Sequence, residues 1–364
     1  MSQGVKHWSC RDLLVPVIAI LLVCIMLLVG CSLAPTTPPP STQTPPAVPE
    51  KADLLGKVEL AEIIGDEDFA ELYHEIAAQN TTLPQTLDDA LDELEYKTGI
   101  NLSCFTNVTI FADVSTLAES MGYLEGGGLP YCGALVEGDI NESSVIGSME
   151  QKTGQQFETS DYQGYTIYTA VISDNGNWTL SIAFLDGQLV IGTSQAVEDV
   201  IDVVAELESP ISGLVFDWYS QLGDALIKIA FRVPESLTGK IPEELAIGPM
   251  NLSLLSFRDI NYATFTLTKD EATVTANLDL IFSNTDSAKD SKGLLSAAIT
   301  AGKYVVPDPD ARRVLSKVHI SGSGSSVSLT LAMTMSEIKH LASLMSTMFT
   351  APEERVLPKT PLPG

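Results

Sequence analysis

Positive charge and histidine are scarce in this sequence. Its 364 residues include 20 Lys and Arg against 47 Asp and Glu, giving a formal net charge of −27, and only four His. Nucleic-acid binding depends on clustered cations that neutralise phosphates, so this composition argues against a nucleic-acid partner. Four scattered His leave little material for a multi-histidine metal centre. We therefore predict no nucleic-acid partner, no metal site and no cofactor.

Catalytic motifs are also missing. The sequence contains no GxSxG nucleophile turn, HExxH pair, phosphate-binding loop or dinucleotide fingerprint. His74 is followed by Glu75, as in a zinc-protease helix, but position 78 is Ala, and His319 and His340 stand alone. A Ser–His–Asp triad joins residues that are distant in sequence, and no feature of the sequence selects its members. We predict a protein that is not an enzyme, without a named catalytic residue.

The sequence does have an apolar N-terminal segment. Lys6 and Arg11 precede an apolar run over residues 13–29, which ends in Leu28-Val29-Gly30-Cys31. These last four residues resemble the lipobox of prokaryotic lipoprotein signal peptides. The resemblance implies cleavage between Gly30 and Cys31, because a small residue gives the signal peptidase access to the bond. It also implies a thioether-linked diacylglycerol on the Cys31 thiol.

An uncleaved transmembrane helix is the alternative for this segment. The apolar run has about seventeen residues, which is the short limit for spanning a bilayer. In both cases the positively charged flank stays in the cytoplasm, so residues 32–364 are predicted outside it. We therefore predict a cell-membrane protein on the extracytoplasmic face, with the membrane as its partner through an N-terminal lipid anchor.

A proline-rich stretch follows the lipobox. Residues 31–52 contain seven Pro and no aromatic residue, so they bury too little apolar area to fold, and their prolines favour extended polyproline II. At about 3.1 Å per residue, such a stretch holds a domain about 60 Å from the membrane. We predict a signal peptide over 1–30, a tether over 31–52 and a disordered Pro-containing tail over 351–364.

Cleavage changes the cysteine count. Removing residues 1–30, which carry two bases and one acid, leaves a net charge of −28 and three Cys. With Cys31 acylated, Cys104 and Cys132 remain as an even pair outside the cytoplasm, where disulfides persist. A Cys104–Cys132 disulfide is therefore predicted, with two buried free thiols as the alternative.

The rest of the chain, about 310 residues, exceeds what one core usually organises. Helical and alternating apolar patterns predict an α+β fold of two related lobes, residues 53–209 and 210–350. Each lobe is expected to hold a mostly antiparallel sheet with helices on one face. The order of elements, with the stretches Tyr162–Tyr165 and Leu189–Thr193, resembles uncharacterised two-lobed α+β lipoproteins of bacterial and archaeal envelopes. That resemblance supplies no catalytic residues.

The sequence also contains acidic clusters and glycosylation sequons. The acidic groups at 66–68, 88–93 and 308–310 lack the ligand spacing of a calcium-binding EF-hand. The acids at 88–93 fall on the polar side of a predicted helix, so we interpret that group as a solvated face. The Asn-x-Ser/Thr sequons begin at Asn80, Asn101, Asn107, Asn141, Asn177 and Asn251. They matter only in a host that glycosylates Asn on its surface.

Three functions remain open from the sequence. The first is a non-enzymatic surface lipoprotein that binds an envelope protein or another envelope component. The second is a carrier of an apolar or lipid ligand, suggested by apolar sheet faces and by Met333, Met335, Met345 and Met348. Met adapts to irregular ligands, but these residues could equally fill a core. The third is a hydrolase of an uncatalogued kind.

Overall fold

The structure is a computed structural model that describes residues 43–78, 83–116, 130–154, 156–171, 179–247, 250–306 and 309–349. The lipobox with Gly30 and Cys31, the first part of the tether and the tail 351–364 lie outside these ranges. Within the described ranges, no helix is long and apolar enough to cross a membrane.

Most strands belong to one large antiparallel sheet. The strands are β1 (Leu54–Val58), β2 (Phe105–Ala112), β3 (Cys132–Gly138), β4 (Glu158–Tyr162), β5 (Tyr165–Val171), β6 (Thr179–Leu185), β7 (Gln188–Gly192), β8 (Ile227–Arg232), β9 (Glu244–Ile247), β10 (Met250–Ser253), β11 (Ile260–Asp270), β12 (Thr273–Phe282), β13 (His319–Ser323) and β14 (Ser326–Thr334). Twelve of them pair in the order β13-β14-β12-β11-β8-β1-β2-β3-β7-β6-β5-β4, while β9 and β10 form a separate hairpin. Each neighbouring pair is antiparallel.

Helices surround the sheet. They are α1 (Leu60–Ile64), α2 (Glu67–Ala77), α3 (Leu87–Thr98), α4 (Glu142–Thr153), α5 (Ser194–Val204), α6 (Gly213–Ser220), α7 (Glu235–Thr238), α8 (Thr285–Val305), α9 (Pro309–Lys317) and α10 (Met335–Phe349). The coarse prediction of an α+β fold with antiparallel strands is confirmed.

The structure has one continuous sheet in place of the predicted sheet per lobe. β1 pairs with β2 along one edge and with β8 along the other, so that Leu55 lies opposite both Phe111 and Ala230. The first strand of the body therefore joins strands from both halves of the chain. The predicted boundary at residues 209 and 210 falls in the loop between α5 and α6, but the hydrogen-bonded sheet continues across it.

Helices cover both faces of this sheet. On one face, called the α6 face, α5 and α6 pack on Leu55, Phe111 and Val190. On the opposite face, called the α8 face, three further apolar clusters hold α1, α2 and α10, then α4, then α8. The prediction of helices on one face per lobe is therefore wrong. Strands β3, β6 and β7 are apolar on both sides, which requires cover on both sides.

The tether ends earlier than predicted. Residues 43–52, called the arm below, pack on the folded body: Val48 has no exposed surface, and its carbonyl oxygen accepts a hydrogen bond from Ile211 N–H at 2.7 Å. Pro49 and Pro210 form an isolated antiparallel β-bridge. The arm turns on either side of this bridge, with Val48 N–H donating to the Pro46 carbonyl oxygen at 2.7 Å and Ala52 N–H to that of Pro49 at 3.1 Å. Only residues upstream of Gln43 are left for a tether.

The predicted Cys104–Cys132 disulfide is wrong, and both thiols are free. In the β2–β3 ladder, Cys132 pairs with Ala112 at one end, whereas Phe105, which follows Cys104, pairs with Gly138 at the other. Seven residues of strand separate the two positions by about 20 Å. A disulfide needs Cα atoms within about 7 Å. Burial raises the pKa of the Cys132 thiol.

Candidate functional site

A cleft between α9 and α10 holds the most chemically varied group of side chains found near a cavity in the described ranges. Its volume is about 230 Å³, and it lies at the end of β14. The lining residues are Asp310, Arg313, Val314, Lys317, Met333, Ser336, Glu337, His340 and Leu341. Two carboxylates, three basic groups and a hydroxyl thus surround an apolar floor.

One side of the cleft is built by the start of α10. Thr334 and Glu337 form a capping box: Glu337 Oε2 accepts from Thr334 N–H at 2.9 Å, and Thr334 Oγ1 accepts from Glu337 N–H at 3.4 Å. This reciprocal pair satisfies amide groups that a helix start leaves free. Lys317 of α9 donates to the same carboxylate at 2.5 Å. That hydrogen bond, with the one from Thr334 N–H, lowers the pKa of Glu337 to about 2.

The other side is an acid–base pair. Asp310 Oδ2 lies 2.9 Å from His340 Nε2, and Asp310 Oδ1 lies 2.9 Å from a guanidinium nitrogen of Arg313. The hydrogen bond to His340 is the largest cause that lowers the pKa of the Asp310 carboxyl. An aspartate that orients a histidine provides two of the three members of a hydrolytic triad.

Ser336 supplies a hydroxyl in the same cleft. It precedes His340 by four residues on α10, a spacing that places both side chains on one helix face. Its Oγ lies 3.0 Å from Thr334 Oγ1, so the hydroxyl already has a partner in the capping box. Asp310, His340 and Ser336 are therefore brought together, while the capping box orients the serine.

Charge in the cleft is largely balanced. Lys317 neutralises Glu337, and Arg313 and His340 share Asp310. Such a cleft suits a small polar molecule that carries both signs of charge, because each ligand charge then replaces one internal partner. The described residues contain no group of three His, Cys, Asp or Glu side chains that could hold a metal ion.

The other sequence-predicted residues lie apart from this cleft. His74 Nδ1 is 2.7 Å from the Gln85 carbonyl oxygen, and His319 is exposed on the edge strand β13. Asp66 and Asp68 both pair with Lys269, so that acidic group is a structural ion-pair cluster. The acids of α3 are exposed, as predicted. Gly30, Cys31 and Asp308 lie outside the described residues.

The sequons differ in accessibility. Asn107 is buried in β2, and its Nδ2 donates to Glu137 Oε2 at 2.9 Å, which blocks modification in the folded state. Asn101 and Asn141 are exposed. The Asn101 side chain caps a short 3-10 helix, Leu102–Cys104, and the Asn141 side chain caps α4. Asn80 and Asn177 lie outside the described residues, and the side chain of Asn251 does as well.

A buried ionic cluster that sequence patterns did not predict fastens the arm. Asp199 of α5 is 4% exposed; its Oδ2 pairs with the Lys51 ammonium and accepts from the Tyr131 hydroxyl at 2.9 Å. Gln195 donates to Asp199 Oδ1 at 2.7 Å. Burial and the bond to Asp199 raise the pKa of Tyr131. Since both carboxylate oxygens are used, the cluster holds the arm in place. The one sign of this cluster in the sequence was Asp199 itself, a carboxylate within the apolar stripe of α5.

Helices α8 to α10 form a basic surface on this acidic protein. Residues 285–349 carry seven of the 20 Lys and Arg but five of the 47 Asp and Glu. Four of these cations, Lys289, Lys292, Lys303 and Arg312, have no ion pair within the part of the chain that the structure describes. The three lysines lie within about 60° of one another around α8. Beside them, Tyr304 is 85% exposed.

Comparison with known proteins adds little. No protein-family model matches the chain, and no curated protein sequence matches it. Among solved structures, crystal form III of TP0453 has a TM-score of 0.47 at 12% identity and covers 84% of this chain and 99% of its own. Crystal form I of TP0453 has a TM-score of 0.41 at 12% identity, with coverage of 82% and 97%. A likeness of this size carries no conclusion about function.

Proposed function

We propose that the protein is a lipid-anchored, extracytoplasmic binding module that contacts an anionic surface of the envelope without catalysing a reaction. The observation that carries this proposal is the basic surface of α8 and α9. On a chain with an overall charge of −27, these four cations without an ion pair form a local positive region that can attract an anionic partner.

The charge distribution also favours one orientation. An anionic headgroup layer attracts nearby Lys and Arg by about 1 kcal/mol each and acts within a Debye length. The remaining 13 bases and 42 acids of the sequence carry a net negative charge, which the same layer repels. The anchor at Cys31 would keep the module close enough for this short-ranged force to act. Tyr304, an aromatic side chain with a polar end, is of the type that membrane–water interfaces favour.

Vesicle binding tests the basic surface. The protein for this test is the mature chain with Cys31→Ser, so that no lipid contributes. We expect it to float with vesicles of equal phosphatidylglycerol and phosphatidylcholine at 50 mM salt. Binding to phosphatidylcholine alone should be at least tenfold weaker, and 500 mM salt should release the protein.

Two variants with the same net charge distinguish an effect of the basic surface from an effect of the overall charge. K289E/K292E/K303E/R312E removes the basic surface, whereas K97E/K152E/R232E/K240E makes the same change in charge elsewhere. The proposal requires that the first variant loses vesicle binding by at least tenfold more than the second. Equal losses would mean that only net charge matters and would contradict a specific surface.

The anchor has its own test. The sequence supports cleavage before Cys31 and lipidation of its thiol, so Cys31→Ser should release the protein from membranes of the cells that export it. Metabolic labelling with a fatty acid should mark the parent and not the variant. A variant that stays in the membrane fraction at high salt would favour the uncleaved transmembrane helix.

A hydrolase is the second candidate, favoured by the Asp310–His340 pair beside Ser336. As a nucleophile, Ser336 would have to exchange its Thr334 partner for His340. A fluorophosphonate probe tests this, since it labels an activated serine. Labelling of the parent that Ser336→Ala and His340→Ala both abolish would establish the hydrolase and displace the binding proposal. Equal labelling of all three proteins would exclude Ser336.

A carrier of an apolar ligand has weaker support. Of the four Met residues that suggested it, Met333 and Met335 are buried in packed clusters or against the α9–α10 contact. The side chains of Met345 and Met348 lie outside what the structure describes. Met333 and Met335 are accounted for by core packing.

A further inference from the structure

The α6 face of the sheet changes character between the two halves. Along β1, β2, β3 and β7 it is apolar and lies under α5 and α6. On β11, β12, β14 and β13 the same face carries mostly small polar side chains. By register these are Thr264, Thr266, Thr268, Thr275, Asn277, Asp279, Ser321, His319, Ser326, Ser328 and Thr330. We call them the polar face.

Five residues of this polar face are buried, namely Thr264, Thr266, Ser321, Ser326 and Ser328, and several polar atoms of the face lack partners. Ser326 is 1% exposed and Ser321 8%. Their hydroxyls have no hydrogen-bond partner among the described residues, and neither do Asn277 Oδ1 and Asp279 Oδ1. Burial raises the pKa of Asp279, whose carboxyl is hydrogen-bonded to Thr264 and Ser328 of the same face. Buried polar atoms are almost always bonded in native proteins, so four orphans on one patch indicate a missing layer.

The described helices do not provide that layer. β12, β13 and β14 receive α8, α9 and α10, and those helices pack against the apolar side chains of the α8 face. On the polar face, α6 reaches only as far as the neighbourhood of β8 and β11. The cover must therefore come from another segment of the chain or from another molecule.

The tether leaves the arm beside this patch. Gln43 Nε2 donates to the Ser220 carbonyl oxygen at 3.1 Å, at the end of α6. Close by, the Lys228 ammonium lies 4.5 Å from the Tyr219 ring centroid and 3.4 Å from the Gly223 carbonyl oxygen. Lys228 is the register neighbour of Thr266 on the polar face. The chain upstream of Gln43 thus begins at the border of the patch.

Length and chemistry of the upstream segment fit the patch. Crossing from β8 to β13 takes four strand spacings, about 19 Å, and residues 31–42 span up to about 37 Å when extended. Residues 32–42 are uncharged and contain two Ser and three Thr among four Pro. Their hydroxyls can donate to Asn277 Oδ1 and Asp279 Oδ1. The carbonyls of a polyproline II segment have no internal partners and can accept from Ser321 and Ser326.

We infer that the polar face of β11, β12, β14 and β13 is a docking site for the chain's own tether, residues 32–42. Docked, the tether lies across the sheet and delivers position 31 to the β13 edge. Released, it adds its full length to the reach of the body. The module then has two distances from its point of attachment, and the docked one is the shorter. Docking rests on the sheet face alone, so it is tested without a lipid anchor.

A thermodynamic cycle tests the contacts. The parent is the mature chain with Cys31→Ser, and its partner has residues 32–42 replaced by a Gly-Ser repeat of equal length. We expect S321A/S326A to lower the melting temperature of the parent by about 4 °C, the loss of roughly two hydrogen bonds. In the Gly-Ser chain the same pair should be neutral or slightly stabilising, because it removes unpaired buried hydroxyls. An equal effect in both chains would overturn the inference.

Distance measurement provides the second readout. Spin labels at A34C and S323C, in a chain with Cys31, Cys104 and Cys132 replaced by Ser, report the separation of tether and β13 edge. A docked tether gives a narrow, short distance, whereas a label at S160C on the far edge strand β4 gives a long one. A broad distribution for the first pair contradicts docking. A short distance that disappears on dilution with unlabelled protein assigns the face to a second copy of the chain and also overturns the inference.

Discussion

Single residues decide how closely β2 and β3 approach each other. A Cβ atom on Gly133 would lie 2.5 Å from Cζ of the Phe111 ring, and that ring is fully buried in the α6-face core. The ring can give way to a methyl group only by displacing its buried neighbours. Gly147, by contrast, lies in the middle of α4 with nothing within 4 Å of its Cβ position.

The two glycines should respond oppositely to the same substitution. Gly133→Ala overpacks the core and is expected to lower the free energy of unfolding by about 2 kcal/mol. Gly147→Ala should raise it by about 0.5–1 kcal/mol, since it removes backbone freedom from the unfolded chain. Urea denaturation measures both. A destabilised Gly147→Ala would show that α4 is less regular than described.

Local chemistry of individual residues was readable from the sequence, and tertiary chemistry was not. Asp66, which accepts from two backbone amides, and Gly99, at φ 77°, are the residue types that mark a helix start and a helix end in a sequence. The Asp310–His340 pair joins positions 30 residues apart on different helices. No spacing rule reports such a pair, because only the α9–α10 packing creates it.

Among the elements, the arm is short but deeply embedded. Val48 contributes a fully buried side chain, Lys51 an ion pair to Asp199 and Ala52 a nearly buried methyl group. Removing the arm also leaves Asp199 buried without its cation, which is costly. The arm therefore acts as a fixed part of the core.

Chains that begin at residue 43 or at residue 53 compare the contributions of the tether and of the arm to stability. A chain that begins at residue 43 lacks the docked tether and should melt a few degrees below the chain that begins at residue 31, whereas one that begins at residue 53 should be several kcal/mol less stable or fail to fold. If that second chain fails, Val48→Ala in the longer one provides a milder test, with an expected loss of about 1–3 kcal/mol. Equal melting temperatures for the two start points would show that the arm only rests on the surface.

The contact between α9 and α10 should weaken in acid. The Glu337 and Asp310 carboxyls have lowered pKa values in the folded protein. A depressed carboxyl pKa adds stability above the unfolded value, which is near 4.3 for Glu, and that stability is lost as pH falls through the folded value. For Glu337 the loss runs between about pH 4.5 and pH 2.

Melting temperatures at pH 6, 4 and 2.5 measure this effect. The parent should lose more stability over that range than Glu337→Gln, which has no charge to lose at this position. Glu93→Gln, on the exposed face of α3, is the control and should follow the parent. Identical pH dependence for the parent and Glu337→Gln would remove Glu337 from the acid response.

Elements with a clear apolar period were predictable, and elements without one were not. The alternating apolar pattern over residues 271–282 corresponds to β12, and the helical pattern over 336–349 corresponds to α10. β1 and α6 were missed, because five residues with a central Gly and a mostly apolar eight-residue helix show no clear period. Those two elements lie at the centre of the molecule, so the topology was missed with them.

For the whole molecule, the shared position of β1 implies cooperative unfolding. β1 is hydrogen-bonded to β2 on one side and to β8 on the other. Either half alone would therefore leave a central strand edge without its partner. We expect one unfolding transition in urea, with coincident midpoints from circular dichroism and, in a Trp178→Phe chain, from the fluorescence of Trp218 in α6. Chains 43–209 and 210–349 should each fail to fold alone. Two separate transitions would restore the picture of independent lobes.

The same strand sets an order of events during synthesis and export. β1 and β2 are near in sequence and can pair early, but the other neighbour of β1 comes much later in the chain, since Val58 pairs with Ile227. Until that partner arrives, one edge of β1 carries open amide and carbonyl groups, the kind of edge on which chains aggregate. Long-range pairing of this sort also slows folding. The chain therefore depends most on protection during the interval between the emergence of β2 and that of β8.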